Sequence, residues 1–304
     1  MISCQAKFGG FQKSSRIGFL RICVKCDVEL FWPKTDTDKM GEARRKNKRR
    51  AAFLERHPLC CYCGGTKPAT TIDHVPSRQM FTGRRRPKGM EVPACDPCNA
   101  ATRLDEQVAA MIGRVYPDTS TAEEELEIQK ILKAIHNNNP GLLEELQPSR
   151  RQEDRLPKVD DGLPHGVGGA LNCQGPLLNR SIKTFGAKLG FALHYVVAGR
   201  IVPKHGGIAV MWYTNFDRIT GRMPNELFRY LGPPETLRQG RWNVGNQFEY
   251  AYAVPETGGT AAYFSTFRQS FAVLSWVSED ATELEGPEPV DICRPGFTFG
   301  SYQA

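Results

Sequence analysis

The chain reads Cys60-Cys61-Tyr62-Cys63, then Ile72-Asp73-His74-Val75-Pro76, and then Cys95-Asp96-Pro97-Cys98-Asn99. Two Cys-x-x-Cys pairs at such spacing are typical of a closed, tetrahedral zinc site made of four thiolates. The 31 residues between the pairs exceed the roughly 15–20 of a simple zinc ribbon. The excess is the length that a two-stranded insertion carrying Asp73 and His74 would need.

The predicted zinc ligands are Cys60, Cys63, Cys95 and Cys98. Cys61 leaves the register of the first pair open, and we choose Cys60 with Cys63 because that spacing matches the second pair. The alternative is that all four are free buried thiols. Paired cysteines in a reducing compartment favour a metal site over disulfides.

Asp73 and His74 predict a second, open site beside the zinc. Hydrolysis of a phosphodiester needs a base with a near-neutral pKa and a cation that holds the phosphate. A histidine beside a carboxylate can supply both from one strand end. Asn99 follows the last cysteine, and its amide oxygen is a suitable ligand for a hard divalent ion. The alternatives are a solvated or core histidine, and an asparagine that only bonds backbone.

The fold class predicted from these patterns is α+β. Residues 69–73 read as a strand that ends at His74, residues 91–94 as its returning partner, and Asp96 as the N-cap of a helix with Pro97 at its first position. That helix has an apolar stripe at helical spacing, made of Leu104, Val108, Met111 and Val115.

Further along the chain, residues 119–147 are predicted to be helical and acidic, with a break at Asn137-Asn-Asn-Pro140. The residues expected to face its core are Leu126, Ile131, Leu132 and Ile135. An amphipathic helix is expected around residues 182–196. An antiparallel sheet is predicted after it, with strands at residues 208–213, 248–254, 261–267 and 271–277.

These residues resemble the HNH endonuclease family, whose fold is the ββα-metal motif. The resemblance rests on Cys-x-x-Cys, Asp73-His-Val-Pro, and Val92-Pro-Ala-Cys-Asp-Pro-Cys-Asn99, and it covers about residues 55–115. It implies that His74 is the general base, that Asp73 and Asn99 bind a catalytic Mg²⁺ or another divalent ion, and that the cysteines hold structural Zn²⁺. It also implies cleavage of DNA, with the motif docked at the minor groove.

The chain departs from the family pattern at one place. The family's middle asparagine orients the loop that carries the base, and Met90 and Glu91 occupy that region here. The orientation of His74 must therefore come from another residue.

We divide the chain into residues 1–39, an extension that precedes a possible native start at Met40; 40–115, the HNH-like nuclease domain; 116–176, a helical segment and linker; and 177–304, a C-terminal α+β domain of unassigned role. The extension contains Cys23-Val-Lys-Cys26, a pair without a second pair to match it. Whether the extension is native stays open at this point.

Charge is concentrated around the motif. Residues 40–110 carry 14 Lys and Arg against 7 Asp and Glu, and this excess of 7 positive charges equals the net charge of the whole chain, +7. A local positive field favours a polyanionic partner, and we expect that partner to be DNA. The residues expected to contact phosphates form two basic runs: Arg44, Arg45, Lys46, Lys48, Arg49 and Arg50, and then Arg84, Arg85, Arg86 and Lys88.

No apolar stretch approaches the roughly 20 residues of a membrane span, so we expect a cytoplasmic protein without a membrane partner. The sequence does not fix its oligomeric state. Two other function classes stay open. One is a zinc-dependent nucleic-acid binding protein whose HNH site has decayed, and the other is a structural zinc protein that does not bind nucleic acid.

Overall fold

The computed structural model describes residues 36–115, 121–149, 171–286 and 290–300. The chain divides into two compact units, Met1–Arg45 and Lys46–Ala304. Cys4 and the Cys23–Cys26 pair lie outside the described residues. Residues 46–304 form a single compact unit, so the predicted nuclease part and the predicted C-terminal part share one core.

The first elements form a helix, a hairpin and two further short helices. Helix α1 (Asp36–Arg56) precedes the hairpin. Strands β1 (Thr71–His74) and β2 (Glu91–Ala94) pair antiparallel, with His74 opposite Glu91. Helices α2 (Asp96–Ala101) and α3 (Arg103–Ile112) follow. The β-β-α order agrees with the prediction over residues 69–112.

The helix after β2 differs from the prediction in three respects. Cys95, and not Asp96, is the N-cap, because the cysteine backbone is still extended there. The helix breaks at Thr102, so α2 and α3 are separate. Of the predicted stripe, Val108 and Met111 are buried, but Leu104 and Val115 are exposed; Ala109, Ala110 and Ile112 are buried as well, so the last part of α3 is buried on every side.

Three helices connect the hairpin region to the sheet. Helix α4 (Ala122–Asn138) begins at Thr121, whose side chain forms a capping box with Glu124. Helix α5 (Leu142–Glu145) follows, and α6 (Pro176–Leu193) is buried along most of its length. A π-helical turn, His194–Ala198, extends α6. Residues 150–170, within the segment 116–176 that was predicted to contain a linker, lie outside the described residues.

An antiparallel sheet forms the second half of the core, as predicted, and among the described residues it has six strands, two more than predicted. The strands are β3 (Gly207–Thr214), β6 (Glu249–Ala253), β7 (Ala261–Phe267), β8 (Phe271–Ser278), β9 (Ile292–Arg294) and β10 (Thr298–Gly300). Their order is β10-β9-β3-β8-β7-β6, and α6 packs on one face. A short helix, α7 (Asn215–Ile219), and two 3₁₀ turns, Asn225–Arg229 and Ala281–Leu284, connect the strands.

One hairpin stands apart from this sheet. Strands β4 (Arg238–Gln239) and β5 (Trp242–Asn243) pair only with each other in the described part of the chain. Gly240, at φ +63°, and Arg241 make the two-residue turn between them. The left-handed backbone of such a turn favours glycine, which has no Cβ to clash.

Candidate metal centre and adjoining site

The four predicted zinc ligands converge. Cys60 and Cys63 lie in the turn before β1, Cys95 caps α2, and Cys98 lies in its first turn. All four are buried, and their Sγ atoms lie within 4.8 Å of one another. A tetrahedral ion with Zn–S bonds of about 2.3 Å would bring the sulfurs to about 3.8 Å from one another, so a slight contraction suffices. This cysteine cluster can hold a metal ion such as zinc.

Glycine makes the turn of the first pair possible. Gly64 and Gly65 follow Cys63 with φ of +67° and +69°. A Cβ on Gly64 would lie 2.9 Å from the backbone nitrogen of Lys204, which cannot yield as a flexible side chain can. The sequence Cys-x-x-Cys-Gly-Gly therefore folds the first pair back toward the second.

The thiols influence one another's pKa values. A hydrogen bond with Cys98 is the main cause that lowers the pKa of the Cys60 thiol to about 5, and the same bond raises the pKa of Cys98. A bound cation would take the place of that shared proton. Burial raises the pKa of the Cys61 thiol, which lies outside the cluster. The cluster therefore takes Cys60 and Cys63 from the first pair, in the register that the matched spacing predicts.

Asp73 points into the core rather than into an open site. Its Oδ1 accepts a hydrogen bond from the backbone N–H of His74 at 2.9 Å. Its Oδ2 accepts one from the hydroxyl of Tyr62 at 2.8 Å and forms an ion pair with Nζ of Lys188, also at 2.8 Å. Both carboxylate oxygens are therefore engaged within the protein.

A second carboxylate shares the same ammonium. Nζ of Lys188 lies 2.6 Å from Oε1 of Glu106, and the lysine side chain has no exposed surface. Burial raises the pKa of Glu106 to about 7, against an ordinary value of 4.5. The two carboxylates raise the pKa of Lys188 despite its burial. We name Asp73, Glu106, Lys188 and Tyr62 the Lys188 cluster. Its one ammonium faces two carboxyl groups, and near neutral pH that of Glu106 is partly protonated.

His74 lies on the other side of β1, because successive side chains of a strand alternate. Its side chain is 39% exposed, and Nδ1 lies 3.7 Å from Oε1 of Glu91, its register partner on β2. Burial, and then the charge of Arg86, lowers the pKa of His74 below 6.5. The imidazole is therefore mostly neutral at pH 7, which is the form a general base requires.

Asn99 occupies the first turn of α2, where its backbone N–H donates to the carbonyl of Cys95 at 3.0 Å. Its side chain is half-buried, and α2 packs against β1. Asn99 thus belongs to the same small unit as His74.

The predicted open site for a divalent ion does not assemble from the carboxylates. Among the described residues, the cysteine cluster is the one group of three or more His, Cys, Asp or Glu side chains that converges. Asp73 would have to leave Lys188 and Tyr62 before it could bind a cation, so the residues present do not fit that ion.

The two basic runs differ in availability. The residues from Arg44 to Arg50 are exposed along α1, and Arg50 donates to the carbonyl of Thr70. In the second run, Arg84, Arg85 and Lys88 are exposed.

Arg86 holds the loop together and does not present its charge to a partner. Its guanidinium donates to the carbonyls of Pro76 at 2.7 Å, Pro87 at 2.9 Å, and Val75 and Gly89 at 2.8 Å each. These bonds leave at most one of its five N–H groups for another partner. Arg86 was expected to contact a phosphate, but in the structure its guanidinium stabilises the loop by binding these carbonyl groups.

The partners of His74 and Asp73, which are Glu91 and Lys188, were not predicted from the sequence. In the sequence, Glu91 was noted only because it lies where the family has its middle asparagine. The predicted strands 69–73 and 91–94, paired as an antiparallel hairpin, would nevertheless have placed it opposite His74. The sequence contains a weaker indication of the role of Lys188. It lies between Phe185 and Leu189 on the apolar face of α6, and a charge buried there needs a buried partner of opposite charge.

Comparison with known proteins finds no match to a family model, a curated protein or a solved structure. No helix among the described residues has both the length and the apolar character of a membrane span.

Proposed function

We propose that the chain is a zinc-stabilised endonuclease of HNH type that acts on DNA, with His74 as its general base. The observation that carries the proposal is the position of His74. It is a partly exposed imidazole with a lowered pKa, at the end of a hairpin whose base carries the cysteine cluster.

The chemistry assigned to His74 begins with a proton on Nδ1, which faces Glu91. That tautomer leaves Nε2 as an acceptor for a proton of water. The hydroxide then attacks phosphorus, the bond to one ester oxygen breaks, and that oxygen receives a proton from solvent. Exposed Arg78, whose charge lies close enough to lower the pKa of His74, can stabilise negative charge on the phosphate.

A divalent ion would supply Lewis-acid stabilisation of the phosphate and of the leaving oxygen. Because Asp73 is already paired, we assign no step to such an ion. The zinc of the cysteine cluster would have a structural role, since four thiolates close the coordination sphere.

The pairing of Asp73 favours a second candidate, a protein that binds DNA without cutting it. A carboxylate held by Lys188 and Tyr62 cannot serve as an exposed ligand. In this alternative the cysteine cluster and the exposed basic residues are retained for binding.

The test is plasmid nicking by the purified chain in Mg²⁺ or Mn²⁺, with the variant His74→Ala. We expect nicking by the wild type and a loss of at least about 100-fold in the variant, the usual contribution of a general base. The matched control is His136→Ala, an exposed histidine of α4.

Salt-sensitive DNA binding without nicking by any protein would favour the second candidate. Nicking that survives in His74→Ala would exclude His74 as the base. No DNA binding at low salt would leave only a structural zinc protein.

A further inference from the structure

The β4–β5 hairpin carries several side chains suited to binding nucleic acid. Its six residues, Arg238-Gln-Gly-Arg-Trp-Asn243, include two arginines, two amides and a tryptophan, and no acidic residue. All six are exposed, and Trp242 keeps 41% of its surface in solvent. Arginines and an exposed indole gathered on one short projection are typical of a surface that meets a partner.

The base of the hairpin is fixed in the core. Leu237 and Val244 flank it, are 4% and 0% exposed, and are joined by a hydrogen bond from the N–H of Val244 to the carbonyl of Leu237. The N–H groups of Gln247 and Phe248 both donate to the carbonyl of Val244 at 2.8 Å. The exposed tip is therefore carried on a firm support rather than on a free loop.

That support lies against the basic loop of the ββα region. A Cβ placed on Gly89 would lie 3.4 Å from Cδ2 of Leu237. Oε1 of Gln247 accepts the backbone N–H of Thr82 at 2.8 Å. Leu237 and Gln247, on either side of the hairpin, thus contact Gly89 and Thr82. Those two residues flank the segment that presents Arg84, Arg85 and Lys88 to solvent.

We propose that this hairpin is a DNA-reading element, which enters the major groove of duplex DNA while the adjacent basic loop contacts phosphates. The proposal rests on the proposed function, since it takes DNA as the partner. A two-stranded ribbon fits the major groove, where arginine pairs with guanine and glutamine with adenine.

The register assigns roles to the individual side chains. Gln239 and Trp242 are partners across the hairpin and so share one face, while Arg238 lies on the other. Gln239 would read a base edge beside Trp242, whose ring would pack on a thymine methyl or a sugar. Arg238 and Arg241 would contact guanine or phosphate. Asn243 is assigned no contact with DNA, because its Oδ1 accepts a hydrogen bond from the N–H of Gly245 at 3.2 Å.

The test measures binding of the full chain to a mixed-sequence duplex at several salt concentrations, together with nicking of the same DNA. The variants are Arg238→Ala/Arg241→Ala, Trp242→Ala and Trp242→Phe. The control, Lys130→Ala/Lys133→Ala, removes the same charge from exposed positions of α4.

We expect the arginine double variant to bind DNA at least about tenfold more weakly. The slope of its log binding constant against log salt concentration should fall by about 2, one unit for each phosphate that an arginine no longer neutralises.

Trp242→Ala should weaken DNA binding and Trp242→Phe should restore it. Selection from a random duplex library by the hairpin variants should show a relaxed sequence preference. The lysine control should bind nearly as the wild type does. Since these changes are confined to an exposed tip, melting temperature and zinc content should not change; the charge reversal Arg241→Glu gives an independent check.

The two proposals fail in different ways. If nicking depends on His74 but the hairpin variants bind like the lysine control, the hairpin proposal is overturned and the nuclease stands. If the hairpin variants lose binding while no protein nicks DNA, the hairpin proposal is supported and the nuclease fails. If the wild type does not bind DNA at low salt, both are overturned.

Discussion

The cysteine cluster and the Lys188 cluster lie close to β1, yet their members come from very different distances along the chain. The four cysteines fall within 39 residues and are joined by one hairpin and one helical turn. Glu106 and Lys188 are 82 residues apart and meet only because α6 packs against α3. A metal site can be built from local sequence, whereas a buried ion pair of this kind requires the whole fold.

The largest effect should come from breaking the cysteine cluster. Cys98→Ser removes one thiolate from a site whose ion contributes directly to the free energy of folding, by about 10–16 kcal/mol in small zinc domains. We expect zinc content to fall from about one ion per chain to near zero and the ββα region to lose its fold.

Metal analysis and amide exchange over residues 60–101 measure both changes. Cys61→Ser is the control, since that buried thiol lies outside the cluster and should leave the zinc in place. Full zinc in Cys98→Ser would show that the cluster does not bind the ion.

The next effect should come from breaking the Lys188 cluster. Lys188→Met leaves Asp73 and Glu106 buried without a cation, which typically costs about 3–5 kcal/mol in the free energy of unfolding. The measurement is denaturant unfolding at pH 7.

The matched control is Lys183→Met on the same helix. Lys183 pairs with Asp291 at 2.7 Å, but half of the aspartate side chain is exposed, so the cost should stay below about 1 kcal/mol. Equal losses in the two variants would mean that burial does not distinguish the two ion pairs.

A smaller effect, dependent on pH, should follow from Glu106→Gln. The folded protein keeps the Glu106 proton up to a pKa of about 7, whereas the unfolded chain releases it near 4.5. The folded state therefore binds more protons in this window, and raising the pH from 4.5 to 7 lowers the stability of the wild type. Glutamine cannot titrate, so the variant should lack this component, which is on the order of 3 kcal/mol.

Unfolding curves at pH 5, 6, 7 and 8 measure the difference between the two proteins. Lys188 does not contribute in this range, because its raised pKa keeps it charged until well above neutral pH. Parallel stability profiles for wild type and variant would contradict a proton held on Glu106.

The elements that could be predicted are those with a local signal. The spacing of the cysteines, the breaker Val75-Pro76 and the strand pattern of residues 261–277 indicated the hairpin, the cysteine cluster and much of the sheet nearly to the residue. The α4 stripe was only partly predicted, since Leu126 and Leu132 are exposed and Ile135 alone of the four is fully buried. Apolar residues that recur every 3.6 positions identify a helix, but they do not show which side of the helix packs against other elements.

The sequence by itself determined that four thiols meet and that His74 ends a strand beside them, because both follow from ligand spacing and strand alternation within a short stretch. Only the tertiary structure decided that Asp73 faces Lys188, that Arg86 binds carbonyls, and that the β4–β5 hairpin is anchored beside the basic loop. Most of these pairings join segments far apart in the chain, and their geometry is fixed by packing, which no local pattern encodes.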